Sequence, residues 1–126
     1  MDTYHTLINN MPPGLSRAIL RILSMHTGAE QAIGRDDLLE ELARVGYRMH
    51  ERIVRETIRA LRRNGHLICS MPGEGGGYYM PSSLAEYRNF RQKEFLSKIT
   101  DMTQTMSLMD KTAKVAFGDA EQVRLF

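Results

Sequence analysis

Residues 50–80 read HERIVRETIRALRRNGHLICSMPGEGGGYYM, and this stretch decides how the chain folds. Ile53, Val54, Ile58 and Leu61 recur at helical spacing, which predicts a helix from about His50 to Asn64. Asn64-Gly65 ends it, because glycine is favoured where the backbone turns left-handed after a helix. His66-Leu67-Ile68-Cys69-Ser70 and Gly77-Tyr78-Tyr79-Met80 then read as two strands. Met71 to Gly76 lies between them as a glycine-rich hairpin loop.

Upstream, Arg35-Asp36-Asp37 opens a further helix, its acids placed to suit the helix dipole. Leu38, Leu39, Leu42 and Val45 form its apolar face, Gly46 ends it, and Tyr47-Arg48-Met49 makes a tight turn into the next helix. Ala32-Ile33 is a short strand. Leu15, Ile19, Leu20, Ile22 and Leu23 define a first helix, with Ser16 expected as its N-cap and an end near His26-Thr27-Gly28. Met11-Pro12-Pro13-Gly14 cannot lie inside a helix, and residues 1–14 are expected to be a flexible arm. Downstream, Ser83-Leu84-Ala85-Glu86 matches a capping box. No proline or glycine follows until Gly118, which allows one helix of roughly thirty residues or two collinear ones. Residues 118–126 carry no pattern.

Helix, short strand, helix, tight turn, helix, strand, glycine-rich loop, strand is the order of a winged helix, a helix-turn-helix variant whose hairpin is the wing. The expected fold class is therefore mainly α with a small β-hairpin. A winged helix-turn-helix spans 15–82, and a long C-terminal helix follows over 83–117.

The 126 residues suit one compact domain, with 42% apolar and 25% charged side chains. A net charge of +2 says little about partners, but the distribution says more. Six arginines (Arg48, Arg52, Arg55, Arg59, Arg62, Arg63) stand between Arg48 and His66 against Glu51 and Glu56, and no lysine precedes Lys93. Arginine's planar fork binds phosphate or a guanine edge bidentately, which lysine cannot do. The third helix is thus the expected recognition helix. His50, Arg52 and Arg55 lie near the groove, Arg59, Arg62 and Arg63 near the flanking backbone, and Arg35 and Arg48 provide further contacts. A solvated helix face is the competing explanation for the same arginines.

The segment from Arg17 to Phe95 resembles short winged-helix proteins of phages and prophage regions that carry a helical tail. The resemblance rests on Arg35-Asp36-Asp37-Leu38, Arg52 through Arg63, Gly65-His66-Leu67-Ile68-Cys69-Ser70 and Gly77-Tyr78-Tyr79-Met80-Pro81. It implies a DNA-binding module used in transcriptional control or replication. The chain departs from these proteins in a longer glycine-rich wing without basic residues.

Other chemistries find less support. The glycine run is followed by Tyr78-Tyr79 on a strand, whereas a nucleotide loop needs Lys-Ser/Thr on a helix. His5, His26, His50 and His66 lack ligand spacing, Asp36-Asp37 and Glu40-Glu41 read as a solvated face, and no nucleophile stands beside a base. A non-enzyme without metal, cofactor or small-molecule ligand is expected. The single Cys69 forms no internal disulfide, and neither a signal segment nor a membrane span is apparent, which fits the cytoplasm.

Phe95, Ile99, Met102, Met106, Met109 and Ala113 are spaced 4-3-4-3-4, the a/d seam of a coiled coil. A second copy would bury this seam, giving a homodimer on double-stranded DNA. Folding back onto the first helix would bury it too, and another protein could occupy it, because methionine specifies partners poorly. The alternative function is a protein-interaction module, with the winged helix binding a partner and the tail nucleating assembly.

Overall fold

In the computed structural model, residues 2–73 and 76–118 are described. They fall into two compact units divided between Arg88 and Asn89. The first unit holds α1 (Asp2–Asn9), α2 (Leu15–Leu23), a 3-10 turn (Ala29–Gln31), β1 (Ile33–Gly34), α3 (Arg35–Arg44), α4 (Glu51–Arg63), β2 (Cys69–Ser70) and β3 (Gly77–Tyr79). Next come α5 (Leu84–Arg91), a π-helical segment (Gln92–Leu96) and α6 (Ser97–Phe117). The chain is mainly helical, with a small three-stranded antiparallel sheet and a long C-terminal helix. No described helix is long and apolar enough to cross a membrane.

The core is built from the stripes that periodicity marks. Ile19, Leu20 and Leu23 of α2, Leu38 and Leu42 of α3, and Val54, Ile58 and Leu61 of α4 are all buried. Ile33, Ile68, Tyr78 and Met80 close the core from the sheet side. Val45 and Ile53, expected on the buried faces, are instead exposed. Val45 lies beyond the last turn of α3, and Ile53 is about 100° from Val54, toward solvent.

The C-terminal ends of α3 and α4 are each set by a glycine. Gly46 (φ 97) and Gly65 (φ 90) occupy the left-handed region. Tyr47 N donates to Leu42 O at 2.8 Å and Gly46 N to Ala43 O at 3.1 Å. His66 N donates to Leu61 O and Gly65 N to Arg62 O, both at 3.0 Å. These are two Schellman closures, each satisfying carbonyls that a helix end would otherwise orphan.

The strand order is β1-β3-β2. Ile33 pairs with Tyr78 and Gly34 with Gly77, while Cys69 pairs with Tyr79 and Ser70 with Tyr78. The first strand of the hairpin is shorter than its apolar run predicts, because the helix closure takes the His66 amide and Ile68 N turns back to His66 O at 3.0 Å.

Two N-terminal expectations are corrected. Residues 2–9 form a helix rather than a loose arm, and Ile8 is only 2% exposed within the core. The Tyr4 hydroxyl and His66 Nδ1 lie 2.7 Å apart, their rings edge to face. Ser16 does not cap α2. The helix begins at Leu15 with Gly14 in the cap position and no side-chain cap.

Burial lowers the pKa of His66 from its ordinary 6.5, so the unfolded chain binds the proton first as pH falls. The associated stability is therefore present above pH 6.5 and declines below it. The melting temperature should fall between about pH 7.5 and about pH 5.5, and His66→Asn should flatten that part of the profile. A profile identical in the two proteins would remove His66 from this role.

The capping box at the start of α5 forms by half. Ser83 Oγ accepts from Glu86 N at 3.1 Å, but the Glu86 carboxylate does not return to the Ser83 amide. It accepts from Ser82 N at 2.8 Å and from Ala29 N at 3.1 Å, tying the start of α5 to the 3-10 turn. The bond from the Ser82 amide is the largest influence on its pKa, burial opposes it, and the bonds from Ala29 N and Ser82 Oγ add to it, so the pKa is held below the ordinary carboxylate value. In the second unit, the helical run from residue 83 is interrupted by the π-helical segment. There the ring of Phe95 meets that of the buried Phe90 edge to face at 5.6 Å.

Candidate nucleic-acid interface

The N-terminus of α4 is capped by His50, whose Nδ1 accepts from Arg52 N at 3.2 Å. This gives an expected contact residue a local structural task. At about 100° per residue, Arg52, Glu56, Arg59 and Arg63 point away from the buried Val54, Ile58 and Leu61, and all four are exposed. Ala60 sits among them and presents little bulk. Arg48, in the turn before α4, is also exposed.

Arg55 and Arg62 lie closer to the edge of the buried face. Arg55 lines a narrow crevice with Arg35, Leu38, Glu51, Val54 and Tyr78. Arg35 also borders a shallow hollow of about 390 Å³ with Asp36, Asp37 and Glu51. The two arginines are thus brought to one crevice, but beside Arg35 the three carboxylates offset the field a phosphate would meet.

Arg62 faces the sheet. Its Nε donates to Ile68 O at 2.7 Å and its Nη2 to Ser70 Oγ at 3.2 Å, fastening α4 to β2. The sequence places it with the backbone-contacting arginines; the structure commits its guanidinium to the fold. Arg62→Ala should lower stability by about 1.5–3 kcal/mol, the usual loss for charge-assisted hydrogen bonds. Denaturant unfolding reads this directly, and an unchanged midpoint would free Arg62 for another role.

In the hairpin, Glu74 and Gly75 lie outside the described residues. Gly76 and Gly77, which follow them, have a packing reason. A Cβ on Gly76 would collide with the Met71 carbonyl, and one on Gly77 with the backbone of Ile33. Close backbone approach therefore explains Gly76 and Gly77, and a left-handed backbone (φ 97) explains Gly73, without a bound phosphate. Cys69 is buried, and burial pushes its thiol up to about 11, so it stays protonated near neutrality. Among the described residues no three His, Cys, Asp or Glu side chains gather into a metal-binding group.

Phe95, Ile99, Met102, Met106 and Met109 are between 43% and 70% exposed, with Ala113 intermediate. Thr103 Oγ donates to Ile99 O at 2.8 Å and Thr112 Oγ to Leu108 O at 3.3 Å. These hydroxyls are satisfied within the helix beside the methionine seam. Leu108, Val115 and Phe117 are exposed as well, so the apolar surface of α6 is broader than the seam alone.

Sequence reading missed two features. Glu56 shares the outward face with the arginines and pairs with Arg52, Nε to Oε1 at 3.4 Å; its i, i+4 spacing from Arg52 was the available signal. A groove of about 430 Å³ runs between α2 and the end of α3, lined by Arg17, Ala18, Ile22, Met25, Val45 and Tyr47 among others. Met25 there is 82% exposed, and its place beyond the last core residue of α2 was the only hint. No protein-family model matches the chain, and no curated protein or solved structure gives a significant match.

Proposed function

We propose that the chain is a winged-helix DNA-binding protein without enzymatic activity, which lays α4 in the major groove and works as a homodimer through its C-terminal helix. The observation that carries the reading is the outward row of Arg52, Arg59 and Arg63 on a helix fixed at both ends. The element order α2-β1-α3-turn-α4-β2-loop-β3 supports the fold assignment, with α3, the turn and α4 as the proposed helix-turn-helix. The role that fits is transcriptional control or replication in a phage-like setting. The exposed a/d seam supports pairing with a second copy, which would present two recognition helices to a repeated or palindromic site.

Duplex binding measured against salt tests the reading. Several arginines on phosphate should give a log–log slope of about −3 to −5, near −0.9 per phosphate neutralised. Arg52→Ala and Arg55→Ala should each weaken specific binding by about 1–3 kcal/mol, with little change in folding. Arg59→Ala and Arg63→Ala should weaken all sequences alike and reduce the slope by about 1 each. Absence of duplex binding at low salt would favour the second reading, a protein-interaction module, for which the groove between α2 and α3 is the supporting observation.

A further inference from the structure

We propose that Glu56 is a specificity-determining residue: its carboxylate reads the exocyclic amine of a cytosine in the major groove, beside a guanine held by Arg52. The inference rests on the DNA-binding reading above and assigns a base preference to the same face.

Glu56 is the only acid on the outward face of α4, with Arg52 four residues before it, Arg59 three after and Arg63 seven after. A carboxylate there meets the negative field of the phosphates, so it weakens non-specific binding unless a donor of the nucleic acid satisfies it. Its local charge is already balanced. Arg52 Nε lies 3.4 Å from Glu56 Oε1, and the side chains are 70% and 57% exposed, so both heads remain accessible. The pair engages Nε of Arg52, and its two terminal nitrogens make no hydrogen bond among the described residues. They are free to fork onto guanine O6 and N7.

The carboxylate accepts only. The major groove offers it two donors, cytosine N4 and adenine N6. Adenine carries the N7 acceptor next to N6, which repels the second carboxylate oxygen, while cytosine carries no acceptor beside N4 on that edge. Cytosine is therefore preferred. Arg52 and Glu56 are four residues apart, about 6 Å along the helix, but their side chains converge until Nε and Oε1 are 3.4 Å apart, close to the roughly 3.4 Å of one base step. Ala60, one turn beyond Glu56, leaves room for the helix to approach.

Selection of the full chain against a random duplex library tests the assignment, using wild type, Glu56→Gln and Glu56→Ala. Wild type should enrich a site with a cytosine next to a guanine, that cytosine favoured about ten-fold or more. Glu56→Gln should move this one position to adenine, since an amide can pair with N6 and N7 together. Glu56→Ala should lose preference there alone and bind random duplex more tightly. A wild-type site that Glu56→Gln leaves unchanged overturns the role of Glu56 while DNA binding stands, as does wild-type binding without any preferred sequence. Failure of wild type to retain any duplex overturns both readings.

Discussion

Replacing Gly77 with alanine is expected to destabilise the first unit by about 3 kcal/mol or more, at the upper end of overpacking effects. Gly77 stands opposite Gly34 in the β1–β3 ladder. A Cβ built on it would fall within the carbonyl of Ile33 and close to Gly34 N at 2.9 Å. These are backbone atoms, so no rotamer change relieves the overlap. The strand cannot simply retreat, because Ile33 is buried in the core and α3 begins at Arg35, directly after β1. On the other side, Tyr78 and Met80 are core residues too. Gly46→Ala provides the contrast. No atom lies within 4 Å of its added methyl, so only the left-handed backbone opposes it, for about 1–2 kcal/mol. Urea denaturation should show a large fall in midpoint for Gly77→Ala and a small one for Gly46→Ala. Equal midpoints would mean that β1 and β3 do not approach as described.

The difference between these two glycines marks where sequence reading succeeds. Gly46 and Gly65 are legible because each directly follows a periodic apolar run, and a helix end is a local event. The boundaries of α3 and α4 follow for the same reason. Gly77 is different. Its constraint comes from Ile33, more than forty positions away, and nothing local separates a packed glycine from a flexible one. The N-terminal helix fails on similar grounds. Tyr4 and Ile8 are an isolated i, i+4 pair before Pro12-Pro13, and so short a helix needs tertiary support. That support includes His66, which no local window contains. The bonds of Arg62 to the sheet are not legible in the sequence, because a row of arginines looks uniform until each is set at its own angle. Residues near the edge of the buried stripe reach the sheet, and those opposite it reach solvent. The pairing of Glu56 with Arg52, by contrast, is a neighbour effect on one helix face and was open to a closer reading.

Changing Met102 and Met106 together to glutamate is expected to convert the proposed dimer to monomer. Both residues occupy the 4-3-4-3-4 seam and are exposed in the single chain, so the substitution leaves the helix itself intact. In a two-fold pair the seam faces its own copy. Four carboxylates would then meet where apolar side chains had been buried, losing burial and adding repulsion. The positions flanking the seam cannot compensate, since Thr103, Thr105 and Thr112 are uncharged and only Lys98 and Asp110 carry charge there. Dimerisation of the natural chain should for this reason depend little on salt, in contrast to its binding of DNA. Sedimentation should report half the mass for the variant, with the melting transition of the first unit retained. Affinity for a two-half-site duplex should fall by about 10²–10⁴, because the second recognition helix is no longer tethered to the first. Affinity for a single half-site should hardly change. A variant of unchanged dimer mass would refute pairing through the seam. Loss of the whole fold would show that the methionines are buried within their own chain.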